Sequence, residues 1–479
     1  MTKLVAIGDS LAQGFQSGAI LKTAWSFPTM IARSFGLSVP SDFRIPSFFG
    51  SGLPINIEEL LHFMSSELGN EISTDEWILR FPILLSKFVD DIEDLYERGR
   101  GSKPLSFNGQ FHNLGVWGFR VLDALTINSD YCDRIIEANQ GWIEDDFLGL
   151  PSAAMYRTAR KVFNPSNEQR KGKWTQIDNL KTIHNTEGDV ENLIIWLGAN
   201  DCLGTVGSLK LNPMPSNFSS LDPEERRKFN LTHPEIFKND YVALVAKIKE
   251  VISPNTQIFV GTIPYVTIPP ITKGIGVLPS TSKYFQYYGR FFATEDNFNP
   301  FFSSNLTGED IKKIDDTVDE FNDVIRSEVG LAGDNWHLVE TGGILNSLAV
   351  KRNHLTNSPD EPLKAYYNSL GFNDHPLLKL DPIPSVLSLE TEDRTRKGGG
   401  LFSLDGIHPS TIGYGIVAEA FLMEMQKAGV PNANPFNLDW RQIIAQDSLL
   451  NSPPVLWDDI VNSAERNSIL WDVIFKVLG

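Results

Sequence analysis

The chain of 479 residues is acidic, with a formal net charge of −18 at pH 7. This charge argues against nucleic-acid binding through a basic surface, and the sequence lacks the run of about 18 apolar residues that predicts a transmembrane helix. Its two cysteines, Cys132 and Cys202, are too few for a disulfide framework or a zinc knuckle.

Four short, nearly continuous apolar runs predict β-strands that are covered on both faces, as in a parallel sheet. They are "LVAIG" (4–8), "LIIWLG" (193–198), "QIFVGTIP" (257–264) and "WHLVE" (336–340). Helical patterns lie between and after them. The segments 241–252 and 307–329 repeat apolar residues at helical spacing.

A third helical pattern covers 408–429, with Pro409 near its start and Gly429 at its end, where start and stop signals are expected. Strands that alternate with helices predict an α/β fold built on a parallel sheet.

Long insertions interrupt this pattern. We predict one domain over 1–429 and a helical C-terminal extension over 430–479 that packs on it, and Pro82 is expected to bend or restart a helix. The insertions are expected at about 36–105, 126–185, 271–303 and 350–400. The extension ends in an amphipathic stretch whose apolar stripe is expected to dock on the core, the alternative being a membrane-surface or dimer contact.

The first predicted strand runs directly into Gly-Asp-Ser-Leu, residues 8–11. Ser10 has two possible roles, the N-cap of a following helix or a catalytic nucleophile. A serine nucleophile needs a base, a group that orients the base, and hydrogen-bond donors for the developing oxyanion.

The best candidate for the base is His408, one of eight histidines, because Asp405 precedes it by three residues in "LDGIHPST". In a tight turn this spacing can bring the carboxylate to the imidazole Nδ1, where it would fix the tautomer and stabilise the imidazolium. The alternative is a simple turn and cap with an exposed histidine.

Candidate oxyanion donors follow two other predicted strands. Asn200 lies in "GAND", just past the end of a buried run, where sites form in open α/β sheets. Gly118 follows the strand-like run in "FHNLGVWG" and would let a substrate approach its backbone N–H. Each also has a plainer interpretation as a turn residue.

Taken together and in this order, the four motifs resemble the SGNH or GDSL hydrolases. The matching blocks are "GDSL", the Asn-x-Gly-x-x-Gly segment "NLGVWG", "GAND" and "DGIHP". They comprise some 40 residues, and the chain between Ser10 and His408 is longer than is typical for the family because of the insertions.

The resemblance implies a three-layer α/β/α sandwich with a mostly parallel, flavodoxin-like sheet. It also implies a catalytic triad of Ser10, His408 and Asp405, and an oxyanion hole made by the Ser10 and Gly118 backbone N–H groups and the Asn200 side chain. The activity expected is carboxylic ester hydrolysis by an esterase or lipase through an acyl-enzyme. Neither a metal nor an organic cofactor is implied.

Three alternatives remain open. The same fold could act on acetylated carbohydrates, or serve as a non-catalytic binding protein. A metal-dependent hydrolase using Asp9, Asp405 and His408 lacks further ligands at matching spacing. The partner expected is a small-molecule or lipid ester, and the helices of 54–100 with the aromatic segment 284–302 are candidates for a lid over an acyl pocket.

A visible secretory signal is absent, which predicts a cytoplasmic protein, or a secreted or periplasmic one if a leader has been removed.

Overall fold

The computed structural model describes residues 2–70, 72–139, 151–350 and 360–461. The part of the chain described is mixed α/β. Its strands, numbered in chain order, are β1 Thr2–Gly8, β2 Phe15–Gln16, β3 Ala19–Ile20, β4 Val190–Trp196, β5 Gln257–Gly261, β6 Thr272–Ile275, β7 Tyr287–Arg290, β8 Leu306–Thr307, β9 Trp336–Val339, β10 Glu390–Glu392 and β11 Thr395–Gly398.

The central sheet is parallel and has the order β1-β4-β5-β9. These strands confirm the four apolar runs identified in the sequence. The segment 112–116 extends the sheet beyond β1: the Ala6 N–H donates to the His112 carbonyl at 2.8 Å, and the Leu114 N–H donates to the Ala6 carbonyl at 2.8 Å. Chain segments 112–116, β1, β4, β5 and β9 therefore lie side by side in that order.

Helices surround this sheet. The α-helices are α1 Ser10–Gln13, α2 Phe27–Ser34, α3 Ile57–Leu68, α4 Thr74–Leu79, α5 Phe81–Glu93, α6 Asp123–Thr126, α7 Ser129–Ala138, α8 Ala154–Phe163, α9 Gln176–Glu187, α10 Gly204–Ser208, α11 Pro223–Arg227, α12 Pro234–Val251, α13 Gly308–Ala332, α14 Thr341–Leu348, α15 Glu361–Ser369, α16 Thr411–Lys427, α17 Trp440–Gln446, α18 Ser448–Asn451 and α19 Trp457–Val461. Short 3₁₀ turns occur at Thr23–Trp25, Gln169–Lys171, Ala199–Asp201, Pro376–Lys379 and Pro435–Asn437, and a π turn at Asp94–Arg98.

The three predicted helices are confirmed as α12, α13 and α16. Helix α13 begins after Thr307, whose hydroxyl accepts the Asp310 N–H while the Asp310 carboxylate accepts the Thr307 N–H, a capping box. Pro82 lies in the first turn of α5, directly after α4 ends, so it restarts a helix as predicted.

The strands of the central sheet divide their side chains between two clusters of buried residues. Val5 and Ile7 of β1 belong to one cluster, with apolar residues of α9, α12 and α13. Leu4 and Ala6, which point to the opposite face because strand side chains alternate, belong to the other, with residues of α2 and α16. Each face of the sheet is therefore covered by helices.

Most of the predicted insertions form separate small elements. The first contains α3, α4 and α5, which build a third buried cluster. The segment 271–303 contains β6 and β7 of a three-stranded antiparallel sheet. The last helix of the predicted insertion 126–185 is different, because α9 packs on β1 and so covers the central sheet itself.

The described part of 430–461 packs on the rest of the chain. Trp440 of α17 contacts Gly415 of α16, and the Asp447 carboxylate accepts the Ile412 N–H at 2.9 Å. The end of the predicted amphipathic stretch, 462–479, lies outside the described residues. Among the helices described, none has the length and apolar character needed to cross a bilayer.

Candidate active site

Ser10 lies where β1 ends and α1 begins. The N-cap of α1 is Asp9, whose Oδ1 accepts the Leu11 N–H at 3.0 Å, so the interpretation of Ser10 as the cap is wrong. The Ser10 Oγ instead lies 2.9 Å from His408 Nε2, 398 positions away in the chain. Because Ser10 follows β1 and begins α1, its hydroxyl lies at the carboxyl end of the sheet.

His408 and Asp405 form a local turn before α16. Asp405 Oδ1 accepts the N–H groups of Ile407 and His408, both at 2.8 Å, and Gly406 has the positive φ of +68° that the turn requires. The other carboxylate oxygen, Oδ2, lies 3.0 Å from His408 Nδ1. The spacing of three residues thus brings acid and imidazole together without any distant element.

The acid of this pair is fully buried, with a relative exposure of 0%. Burial opposes its ionisation, but the positive charge of His408 and the hydrogen bonds from His408 and Ile407 outweigh that effect and hold the pKa of Asp405 below its ordinary value. Asp405 is therefore an anion at neutral pH, held at the nitrogen of His408 that does not face Ser10.

Residues just after the Gly-Asp-Ser-Leu motif support the turn, although nothing in the sequence marks them as part of the site. The Gly18 N–H donates to Asp405 Oδ2 at 3.0 Å, and the Ser17 N–H donates to the Ser403 hydroxyl at 2.9 Å. The Phe15 ring packs against the His408 imidazole with centroids 4.6 Å apart. Because these contacts join parts of the chain almost 400 positions apart, no local pattern could have revealed them.

Gly118 follows the edge segment 112–116. It has a φ of +76°, and an added Cβ would meet Met155 Sδ at 2.9 Å. Both the backbone conformation and the lack of space therefore disfavour a residue with a side chain at this position. The preceding Trp117 N–H is bound by Gln13 Oε1 at 2.9 Å, which ties this loop to α1. Within the chain described, the N–H groups of Gly118 and Ser10 donate to no protein acceptor.

Asn200 lies in the turn after β4, half-buried. Its Nδ2 donates to Asp9 Oδ2 at 3.2 Å and to the Phe119 carbonyl at 3.0 Å. The amide therefore links the turn at Ser10 with the loop of Gly118. In this state both of its N–H bonds already have acceptors, which the sequence did not predict.

Asp9 is the acidic neighbour of this amide. Burial raises the pKa of Asp9 to about 7, although the Leu11 N–H and the charge of His408 act in the opposite direction. Asp9 is thus only partly ionised near neutral pH. Among the residues described, no group of three or more His, Cys, Asp or Glu side chains is arranged to hold a metal ion, and this includes the set Asp9, Asp405 and His408.

A cavity of about 110 Å³ opens beside the pair of Ser10 and His408. Its walls are almost entirely apolar and come mainly from the loops 264–269 and 401–409 and from the helices α14 and α16. Among the residues that the structure describes, none from 54–100 or 284–302, the two segments predicted as a lid, lines it. Tyr284 and Tyr288 of the second segment are buried in the core instead.

Comparison with models of protein families, with curated proteins and with solved structures finds no match to this chain.

Proposed function

We propose that the chain is a serine hydrolase that cleaves carboxylic esters through an acyl-enzyme. The observation that carries this proposal is the continuous series of contacts from Ser10 Oγ to His408 Nε2 and from His408 Nδ1 to Asp405 Oδ2, at 2.9 and 3.0 Å. This is the arrangement that activates a serine, because the base lies within reach of its proton and a buried anion orients the base.

In the proposed reaction, Ser10 Oγ attacks the ester carbonyl while its proton passes to His408 Nε2. The C–O bond to the alcohol then breaks, and the alcohol leaves with that proton, so that an ester of Ser10 remains. Water, deprotonated by His408, attacks this ester; the acid is released and the proton returns to Ser10.

The negative charge on the carbonyl oxygen would be stabilised by the N–H groups of Ser10 and Gly118, which have no protein acceptor in the chain described. Asn200 would complete the set when the substrate oxygen replaces or shares one of its acceptors, Asp9 Oδ2 or the Phe119 carbonyl. Asp405 keeps the imidazolium of His408 stable during both steps.

The architecture supports the same proposal. The order 112–116, β1, β4, β5, β9 and the buried clusters on both faces fit a three-layer, flavodoxin-like α/β/α sandwich. Together with the four sequence motifs, this order favours a member of the SGNH hydrolases. A non-catalytic binding protein would not require Ser10, His408 and Asp405 to be aligned in this way.

A fluorophosphonate probe tests this proposal directly. The probe should phosphonylate Ser10 of the native protein, because an activated serine displaces its fluoride. Peptide mass spectrometry locates the label, with Ser10→Ala as the negative control. Ser66→Ala, an exposed serine on α3, is the matched control and should label normally. A native protein that stays unlabelled at every serine would support a binding protein instead.

The role of Asn200 gives a second test. Asn200→Ala should lower kcat by about 10²–10³-fold with little change in KM, since an oxyanion donor acts mainly in the transition state. Steady-state hydrolysis of p-nitrophenyl acetate measures both constants. The variant should still react with the fluorophosphonate, which shows that Ser10 and His408 remain aligned. A turnover close to that of the native protein would exclude the donor role.

A further inference from the structure

Two helices present matching stripes to the cavity beside Ser10. From α14 the lining residues are Thr341, Ile344, Leu345 and Leu348. From α16 they are Gly413, Ile416, Val417 and Ala420. Both sets follow the spacing i, i+3, i+4, i+7, so each is one face of its helix. Each helix face is therefore one wall of the cavity, and the part of the cavity that these two faces line is called the slot.

The length of the slot follows from helix geometry. Its α16 wall begins at Gly413, five residues after His408, and reaches Ala420, seven residues further along. At 1.5 Å per residue this stretch of helix is about 10 Å long. Acetate would occupy only the end beside Ser10, whereas a hydrocarbon chain of several carbons would follow both stripes.

The slot offers a ligand almost no hydrogen bonds. Apart from Ser10 and His408, the polar side chains among its described lining residues are Thr341 and Trp196, and both already donate to the Thr262 carbonyl, Trp196 Nε1 at 3.0 Å. Sugar hydroxyls placed here would lose their water partners without replacement, which opposes their binding. Aliphatic carbon, in contrast, is stabilised when it leaves water for apolar walls.

We infer that this slot binds the acyl chain of a fatty-acyl ester, with the carbonyl at Ser10 and the chain between α14 and α16. The inference rests on the proposed function, since it assigns the substrate class of the same site. It makes Ala420 a specificity-determining residue: its methyl group leaves the far end of the slot open, and a larger side chain would close it.

Chain-length profiles test the assignment. The protein is assayed with p-nitrophenyl acetate, butyrate and octanoate, and the native chain should prefer octanoate, whose acyl chain is about as long as the slot. Ala420→Leu should lower kcat/KM for octanoate by about tenfold or more, and leave acetate within about twofold, since closing a pocket by a few methylenes has effects of this size. The matched control is Ala243→Leu on the exposed side of α12, which should leave the profile unchanged.

A second variant guards against misfolding, because Ala420 is buried. Leu345 is half-buried, so Leu345→Asn should fold normally, yet it places an amide in the α14 stripe. It too should reduce octanoate turnover selectively. A native profile that falls from acetate to octanoate, or variants that act equally on all esters, would overturn the inference. So would selective effects on long-alkyl acetates, which would place the alcohol in the slot.

Binding without catalysis separates this inference from the proposed function. The Ser10→Ala protein should bind a fluorescent fatty acid, and the added change Ala420→Leu should weaken that binding by about tenfold. If the native protein hydrolyses nothing and Ser10 resists the fluorophosphonate, the proposed function fails, while fatty-acid binding still decides the occupant of the slot. If acetate is cleaved but no fatty acid binds, the acyl assignment alone fails.

Discussion

Replacing Ser10 with alanine should lower kcat for ester hydrolysis by about 10⁶-fold, the size of effect seen when a serine nucleophile is removed from an intact triad. The physical reason is that the variant has no hydroxyl to form the acyl intermediate, and the proposed oxyanion donors that remain only polarise the ester carbonyl. Turnover of p-nitrophenyl esters measures the loss. The fold should be retained, because the change deletes one oxygen from a side chain that does not cap α1.

The control for this experiment is Ser66→Ala, which removes an exposed hydroxyl on α3 that donates to the Phe63 carbonyl. It should hydrolyse esters at the native rate. Residual activity in Ser10→Ala above about one part in 10⁴ of the native rate would point to a different nucleophile, since even the oxyanion donors and binding alone give little turnover.

Local chemistry made much of this molecule predictable. The four parallel strands are visible as apolar runs because both of their faces are buried. The Asp405–His408 pair is predictable because its hydrogen bonds close within one turn. The boundary of α13 is predictable because Thr307 and Asp310 form a capping box that needs no distant partner.

Long-range contacts explain what could not be predicted. The polar sequence of α9 predicts part of an insertion, yet Gln176 lies fully buried and its Nε2 donates to the carbonyls of Gly8 at 2.9 Å and Leu114 at 2.7 Å. Its polar side chain thus joins β1 to the edge segment. Likewise, the apolar stripe of α16 looks the same in sequence whether it packs in the core or lines a slot.

The hydrogen-bond partners of the Asn200 amide could not be predicted from its motif. The motif predicts an amide near Ser10, and in the structure that amide donates to Asp9 and to the backbone carbonyl of Phe119. Hydrogen-bond partners are decided by the folded geometry of three separate loops. The proposed role of Asn200 therefore depends on contacts that the motif itself does not contain.

His408→Ala should be as damaging as the loss of Ser10, with kcat reduced by about 10⁶-fold, because the serine then keeps its proton. Asp405→Asn should reduce kcat by about 10⁴-fold, since an amide nitrogen facing His408 Nδ1 favours the wrong tautomer. The same ester assay checks both variants. The control for loss of an imidazole is His375→Ala. His375 is a buried histidine near Glu419 that is not among the residues lining the cavity, so this variant should keep its ester turnover.

The loss of stability in the Asp405→Asn variant should also depend on pH. Because the pKa of Asp405 is lower in the folded protein than its ordinary value of 3.8, its charge stabilises the fold at neutral pH. That contribution is lost as the pH falls below 3.8 and through the folded pKa. The difference in Tm between native and Asp405→Asn proteins should therefore be largest near pH 7 and shrink in acid.

The double variant Ser10→Ala/His408→Ala shows whether Ser10 and His408 act in one catalytic unit or contribute independently to kcat. If the serine and the imidazole act as one unit, removing both costs no more than removing either, because the second loss takes away a function already abolished. Independent roles would instead multiply the two losses. A metal-dependent mechanism through Asp9, Asp405 and His408 makes a third prediction: His408→Ala would be inactive while Ser10→Ala kept most of its turnover. Kinetics of the two single variants and the double variant on one ester thus decide between these mechanisms.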